Sequence, residues 1–180
     1  MHMNEKYYLY HRVPENMEGT TLFPLNLLKE KYPELFAKQI AKYEGREHVT
    51  KQFIPTLQCL WNDVLHLSPV HPKDIKQSLV EAGIPDHEMR YYQIDPAILE
   101  PENTTVYLYA HKIKEDNMKP ENFAEYAPSE ISKYSVLSEE TQEYYKEMYG
   151  QHQRPLLFVR IPHILYKGTI KVSELPIISV

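Results

Sequence analysis

The first pattern in the chain is a Tyr-rich run with the period of a β-strand. Residues Lys6 to Val13 alternate in side-chain direction and are ended by Pro14, as is typical of an extended segment. Leu9 and His11 therefore share one face of the predicted strand, and Arg12 lies on the other. The chain is expected to begin its fold with this strand.

Further along, apolar residues recur at helical spacing. Between Pro24 and Tyr43 they return every three or four positions, and Pro33 predicts two helical pieces rather than one. The clearest helix runs from Lys73 to Ala82, because Pro72 suits the first helical position and Gly83 ends it. The other predicted elements are a helix capped by Ser138 and ending at Tyr149, a short helix at Glu121 to Tyr126, and strands within Leu57 to Pro69, Arg90 to Asp95, Thr104 to Ile113, Pro155 to Ile161 and Thr169 to Val172.

These elements predict one domain that spans residues 1–180. A chain of 180 residues with 42% hydrophobic and 25% charged residues is long enough to bury its own core and has the composition of a globular protein. It contains no internal repeat and no long linker. The order of elements predicts an α+β fold, with a mixed or mainly antiparallel split sheet and peripheral helices.

Composition also indicates the cellular compartment and the classes of partner that are expected for the protein. The single cysteine, Cys59, has no partner for an internal disulfide, and the first residues lack the basic and apolar regions of a signal peptide. No apolar run approaches the roughly 20 residues needed to cross a bilayer. The net charge of −5 disfavours general nucleic-acid binding. We therefore expect a cytoplasmic protein without a membrane segment.

Several common site types have no matching motif. The nine histidines lack zinc-ligand spacing, and the five glycines are scattered rather than grouped in a P-loop or Rossmann loop. No metal site is therefore expected. What remains is a group of basic and imidazole side chains on or beside predicted strands, where burial without a partner is costly. They are His11, Arg12, Arg46, His66, Arg160 and His163.

Two of these residues lie in motifs that resemble a known group. The early strand Tyr8-Leu9-Tyr10-His11, followed later by Leu65-His66-Leu67-Ser68-Pro69 and a helix ended by Gly83, resembles the first half of ADP-ribosyltransferase-type domains. That group includes RNA 2′-phosphotransferases and DarT-like DNA-base modifiers. The next strand, Tyr91 to Pro96, is similar in order and placement, so the resemblance extends loosely over residues 7 to 113.

The resemblance implies a transferase that uses NAD as its cofactor. In such a protein His11 and His66 would be the catalytic candidates, with His11 at the ribose and His66 or a nearby Tyr beside the nicotinamide. The cofactor-binding candidates would be Arg12, Arg46, Arg160 and His163, of which Arg12 or Arg46 would hold the pyrophosphate by charge-assisted hydrogen bonds.

The sequence departs from the family pattern at two places. No Glu occurs in the late segment Arg154 to Arg160, and the family's His-Gly-Thr is here His11-Arg12-Val13. A phosphotransferase-like arrangement of Arg and His would tolerate the missing Glu better than a mono-ADP-ribosyltransferase would.

An alternative function is a non-catalytic module that binds a protein partner, or an inactive transferase-like scaffold. The 15 Tyr and 14 Pro residues and the acidic balance suit such a protein interface. The two hypotheses predict different arrangements of side chains. Only the enzyme hypothesis requires His11, Arg46, His66 and Arg160 to meet at one place.

Overall fold

The computed structural model describes residues 6–109 and 118–180 and has the predicted α+β class. The α-helices are α1 (Leu25–Lys31), α2 (Pro33–Ile40), α3 (Pro72–Glu81) and α4 (Glu139–Gly150). The strands are β1 (Leu9–Arg12), β2 (Thr21–Leu22), β3 (Phe53–Ile54), β4 (Cys59–Leu60), β5 (Leu65–Leu67), β6 (Arg90–Ile94), β7 (Thr104–Tyr107), β8 (Phe123–Glu125), β9 (His163–Tyr166), β10 (Ile170–Lys171) and β11 (Ile177–Ser179). None of the helices in this part of the chain has the length and apolar composition needed to cross a bilayer.

Two antiparallel sheets form the centre of the fold. One has the strand order β1-β6-β11 and the other has the order β5-β9-β7-β8, while β2 with β10 and β3 with β4 form small ribbons. The two main sheets are joined at one bridge, in which Tyr10 and Ser68 exchange backbone hydrogen bonds of 2.8 and 2.9 Å. Past this bridge His11 and Arg12 pair with β6 and not with β5. The sheet is therefore split beside His11.

The hydrophobic core is arranged around the two sheets and the split between them. One apolar cluster lies against both sheets and includes Leu9 of β1, Leu67 of β5 and Ile164 of β9. On the opposite side, α3 and α4 cover the three-stranded sheet around Tyr91 and Tyr145. The four-stranded sheet is covered there by residues 53–64. Each main sheet is thus buried on both faces, and the split between them lies where the two outer coverings meet.

Several predicted elements are confirmed. The strand within Lys6 to Val13 is β1, the two helical pieces are α1 and α2, and the Ser138-capped helix is α4. Helix α3 has its proline in the first turn, and the ring of His71 accepts a hydrogen bond from the backbone N–H of Lys73 at 3.1 Å. Gly83 ends it with φ +101°, a conformation that favours glycine. Local signals were sufficient for these elements.

Two predicted elements are wrong. Glu121 to Tyr126 is a 3-10 turn followed by β8 rather than a helix. Pro155 to Ile161, predicted as a strand, is irregular, and the strand β9 lies instead in the following segment. The reason is that α4 supplies the missing backbone partners: the Tyr145 hydroxyl donates to the Leu157 carbonyl, and the Thr141 hydroxyl donates to the Val159 carbonyl at 3.0 Å. An apolar run held in this way does not need a strand neighbour.

Two other predicted strand regions contain strands that are shorter than the predicted ranges. Within Leu57 to Pro69 the strands are β4 and β5, separated by a 3-10 turn at Trp61–Asp63. The strand predicted over Thr104 to Ile113 is β7 as far as Tyr107, and residues 110–113 lie outside the described part of the chain.

Candidate functional site

Two histidines and a tyrosine lie side by side on the outer face of the four-stranded sheet. His163 of β9 is the register partner of Tyr107 of β7, and His66 of β5 pairs two positions further along β9 with Leu165. Because side chains alternate across a strand, His163, Leu165, Tyr107 and His66 all point away from the apolar cluster that contains Ile164. The ring centroids of His66 and His163 are 6.2 Å apart.

A third histidine approaches from the other sheet. His11 lies on β1 one residue past Tyr10, and the bridge partner of Tyr10, Ser68, lies two residues after His66 in the chain. A charge on His11 would lower the pKa of His66. The positive charge of Lys42 in turn lowers the pKa of His11. We call His11, His66 and His163 the imidazole cluster. It is assembled from β1, β5 and β9, so it lies across the split in the sheet.

Aromatic side chains surround the imidazole cluster. The Trp61 ring lies 4.6 Å from His66 and 5.3 Å from Tyr107, measured between ring centroids. Tyr109 stacks on His163 at 5.6 Å with an angle of 25° between the rings. Tyr109 has φ +49°, which is uncommon for a bulky residue and directs its ring back over β9. Trp61, Tyr107 and Tyr109 are called the aromatic wall below.

Backbone carbonyls fix the tautomer of every ring in the imidazole cluster. The Nδ1 atom of His11 lies 2.8 Å from the carbonyl oxygen of Arg12, and Nδ1 of His163 lies 2.6 Å from that of Ile161. The Nε2 atom of His66 lies 2.9 Å from the Trp61 carbonyl oxygen. A carbonyl only accepts, so each of these nitrogens carries the proton. The second nitrogen of each neutral ring is therefore an acceptor.

Burial keeps these rings neutral. Removal from water lowers the pKa of His66 to about 3, with a smaller contribution from the neighbouring His163, and lowers the pKa of His163 to about 4. Burial also lowers the pKa of His11, and the charge of Lys42 adds to this effect. Each of the three residues as a whole is nonetheless only partly buried. Neutral, partly accessible imidazoles among protein atoms are suited to contacting a ligand.

The arginine residues predicted to bind the cofactor do not all lie at the imidazole cluster. Arg46 donates to the backbone carbonyl of Lys42 at 3.0 Å and so remains on its own segment. Arg12 is the register partner of Tyr91, under α3 and α4. Arg160 donates to the Glu140 carbonyl at 3.1 Å and lies over the ring of Tyr144.

Of the four residues expected to meet in an enzyme, His11 and His66 lie on two strands that are joined by the bridge between Tyr10 and Ser68. The side chain of Arg46 bonds to its own segment, and the side chain of Arg160 is directed to α4.

Sequence reasoning missed Lys42, Trp61 and the stacking of Tyr109. The alternation along β7 did place Tyr107 and Tyr109 on one side of the chain, and this was the available signal. In the described ranges, His, Cys, Asp and Glu side chains form no group of three or more that is arranged to hold a metal ion.

Comparison of the chain with protein-family models, with curated proteins and with solved structures found no match.

Proposed function

We propose that the imidazole cluster and the aromatic wall bind a nicotinamide nucleotide, and that the protein is an NAD-using transferase of the ADP-ribosyl or phosphotransferase type. The observation that carries this proposal is the contact between His66 and His163, whose ring centroids are 6.2 Å apart, next to the bridge that joins β5 to the strand of His11. Convergent polar groups beside aromatic rings are the usual composition of a small-molecule site.

Each part of a dinucleotide has a chemically suitable neighbour. A flat, electron-poor nicotinamide ring suits stacking against Trp61 or Tyr109. Lys42 and Arg46 provide two cations on one segment, where Arg46 donates to the Lys42 carbonyl, and two neighbouring cations suit a pyrophosphate. Ribose hydroxyls donate hydrogen bonds, and the unprotonated ring nitrogens accept them.

The chemistry of transfer follows from these groups. The bond between ribose C1′ and the nicotinamide nitrogen breaks, and nicotinamide leaves with the bonding electron pair as a neutral pyridine. A nucleophilic oxygen or nitrogen of the acceptor forms the new bond to C1′, and its proton passes to an unprotonated imidazole nitrogen acting as general base. His11 is the candidate for this role, because the family resemblance assigns it to the ribose.

Among residues 6–109 and 118–180, no carboxylate contributes to the pKa shift of any of the three histidines. This supports the phosphotransferase-like arrangement, in which Arg and His side chains surround the nucleotide without the glutamate of many ADP-ribosyltransferases. The ligand's own phosphates would then stabilise the positive charge that develops on the ribose.

The test is thermal unfolding with and without millimolar NAD, followed by chromatography for released nicotinamide. A ligand at 100 times its Kd stabilises the folded state by about 2.7 kcal/mol. We expect His11→Ala to abolish the stabilisation and the release, while His87→Ala, in an exposed loop, retains both. The absence of any NAD effect on the folded wild type would refute the proposal and favour the protein-interaction alternative.

A further inference from the structure

In the part of the chain that the structure describes, strand β11 is an outer edge of the three-stranded sheet β1-β6-β11. In an antiparallel pair, every second residue exchanges backbone hydrogen bonds with the neighbouring strand. Val180 exchanges two such bonds with Met89, at 2.9 and 3.0 Å, and the carbonyl of Pro176 accepts one from the N–H of Gln93 at 2.9 Å. Pro176, Ile178 and Val180 therefore direct their backbone groups toward β6.

The backbone groups of the two intervening residues point away from β6. In the register of the sheet, Ile177 lies opposite Tyr92, and Ser179 lies opposite Arg90. The carbonyl of Arg90 faces the other neighbour, because it accepts a hydrogen bond from the N–H of Val13 at 2.9 Å. Among the described residues, the N–H and C=O groups of Ile177 and Ser179 have no backbone partner, and both residues are exposed, Ile177 to 44%. The free edge of β11 therefore has donors and acceptors available for another strand.

This edge lacks the features that usually keep the edges of two sheets apart. Native proteins protect an edge strand with charged side chains, prolines or bulges. In the four-stranded sheet, the outer strand β8 contains Glu125 and lies between Pro120 and Pro128. Strand β11 contains no charged residue, and Pro176 does not block its free edge, because the nitrogen of Pro176 lies on the side of β6. An uncharged strand can therefore pair with β11 without burying an unpaired charge.

The strand that matches this edge in charge and in hydrogen-bonding register is a second copy of β11. When two copies pair antiparallel about a two-fold axis at Ile178, Ile177 of each copy lies opposite Ser179 of the other, and each of these pairs exchanges two hydrogen bonds. The two Ile178 side chains then form the closer, non-hydrogen-bonded pair. Ile178 already packs against the apolar cluster beneath α3 and α4, so their contact extends this apolar layer from one copy to the next. Such a contact is isologous and closes at two copies.

We propose that the protein dimerises through β11, so that two three-stranded sheets become one continuous antiparallel sheet. Each copy supplies a strand of only 3 residues, which is small compared with a standard interface. We therefore expect a weak dimer that forms at micromolar or higher concentrations. The dimer is independent of the proposed function, because it uses neither the imidazole cluster nor the aromatic wall.

Sedimentation equilibrium of the whole chain at increasing micromolar concentrations measures the dimer, and amide hydrogen exchange measures its geometry. The N–H groups of Ile177 and Ser179 should become protected as the concentration rises. The N–H group of Val180, which already donates to Met89, should be protected at every concentration.

Variants of one exposed edge residue test the assignment to β11. Ser179→Pro removes an edge N–H and no bond to β6, so it should raise the Kd of the dimer about tenfold or more, since each copy loses one hydrogen bond. Ser179→Lys should also weaken the dimer, because a lysine on an edge strand opposes pairing. The matched control Ser129→Lys, in the 3-10 turn after β8 where Ser129 is exposed, should leave the Kd unchanged.

The results can overturn the dimer without affecting the proposed function. A monomer at every concentration, with no change in protection at β11, would refute dimerisation. A dimer that persists unchanged in both Ser179 variants, with circular dichroism showing that they are folded, would refute the assignment to β11. Thermal unfolding with NAD does not depend on either result, so each proposal can fail alone.

Discussion

The two buried histidines predict a loss of stability in mild acid. His66 and His163 remain neutral in the folded protein well below neutral pH, because burial lowers their pKa values to about 3 and about 4. In the unfolded chain both titrate near the ordinary value of about 6.5. Between these values the unfolded state binds more protons, so the free energy of unfolding falls as the pH falls.

The magnitude follows from the difference in proton binding. A ring that titrates only when unfolded lowers the free energy of unfolding by about 2 kcal/mol between pH 7 and pH 5. Both residues as a whole are only partly buried, so we expect about 2 to 3 kcal/mol for the two together rather than the full sum. His11 shifts in the same direction and adds to the effect. This is a large part of the stability of an ordinary domain.

Urea unfolding at a series of pH values between 5 and 7 measures this loss. In His163→Phe about a third of the pH dependence should disappear, because one of the three contributing imidazoles is replaced by a ring that cannot bind a proton. His87→Ala, which alters an exposed loop histidine, should leave the dependence unchanged. Stability that is constant or rises toward pH 5 would refute the reasoning.

Three further changes test the fold. Gly83→Ala should lower stability by about 2 kcal/mol in thermal unfolding, because φ is +101° and the added Cβ would lie 2.6 Å from the Tyr149 ring; Gly150→Ala, which meets nothing within 4 Å, should cost little. Asn62→Leu should raise stability by about 1 kcal/mol in urea, since the buried amide has no partner among the described residues; a loss would contradict this. Ser138→Ala should cost about 1 kcal/mol in the same assay by removing the cap of α4; an unchanged midpoint would mean that the cap is dispensable.

The sequence allowed prediction of elements whose signals are local. Helix α3 has a proline in its first turn and a glycine after its end, and both act within a few residues. Strand β9 was missed because the apolar run before it satisfied the same pattern. Whether such a run forms a strand depends on partners far away in sequence, here the hydroxyls of Thr141 and Tyr145.

The residues of the candidate site also fall into two groups: those that the sequence indicated and those whose position depends on tertiary packing. His11, His66 and His163 were recognisable because imidazoles within strands require partners. Trp61 was not, because its contact with His66 depends on the 3-10 turn that precedes β5. The stacking of Tyr109 depends on a left-handed backbone conformation, which no neighbouring glycine or asparagine signals.

The strand order also constrains how the chain acquires its structure during synthesis. In the three-stranded sheet, β6 pairs with β1 on one side and with β11 on the other. Residues 177–179 must therefore leave the ribosome before this sheet is complete, and β6 presents an unpaired edge until then. Native contacts of such long sequence separation slow folding. A nascent chain of this protein should thus depend on protection from aggregation up to its last strand.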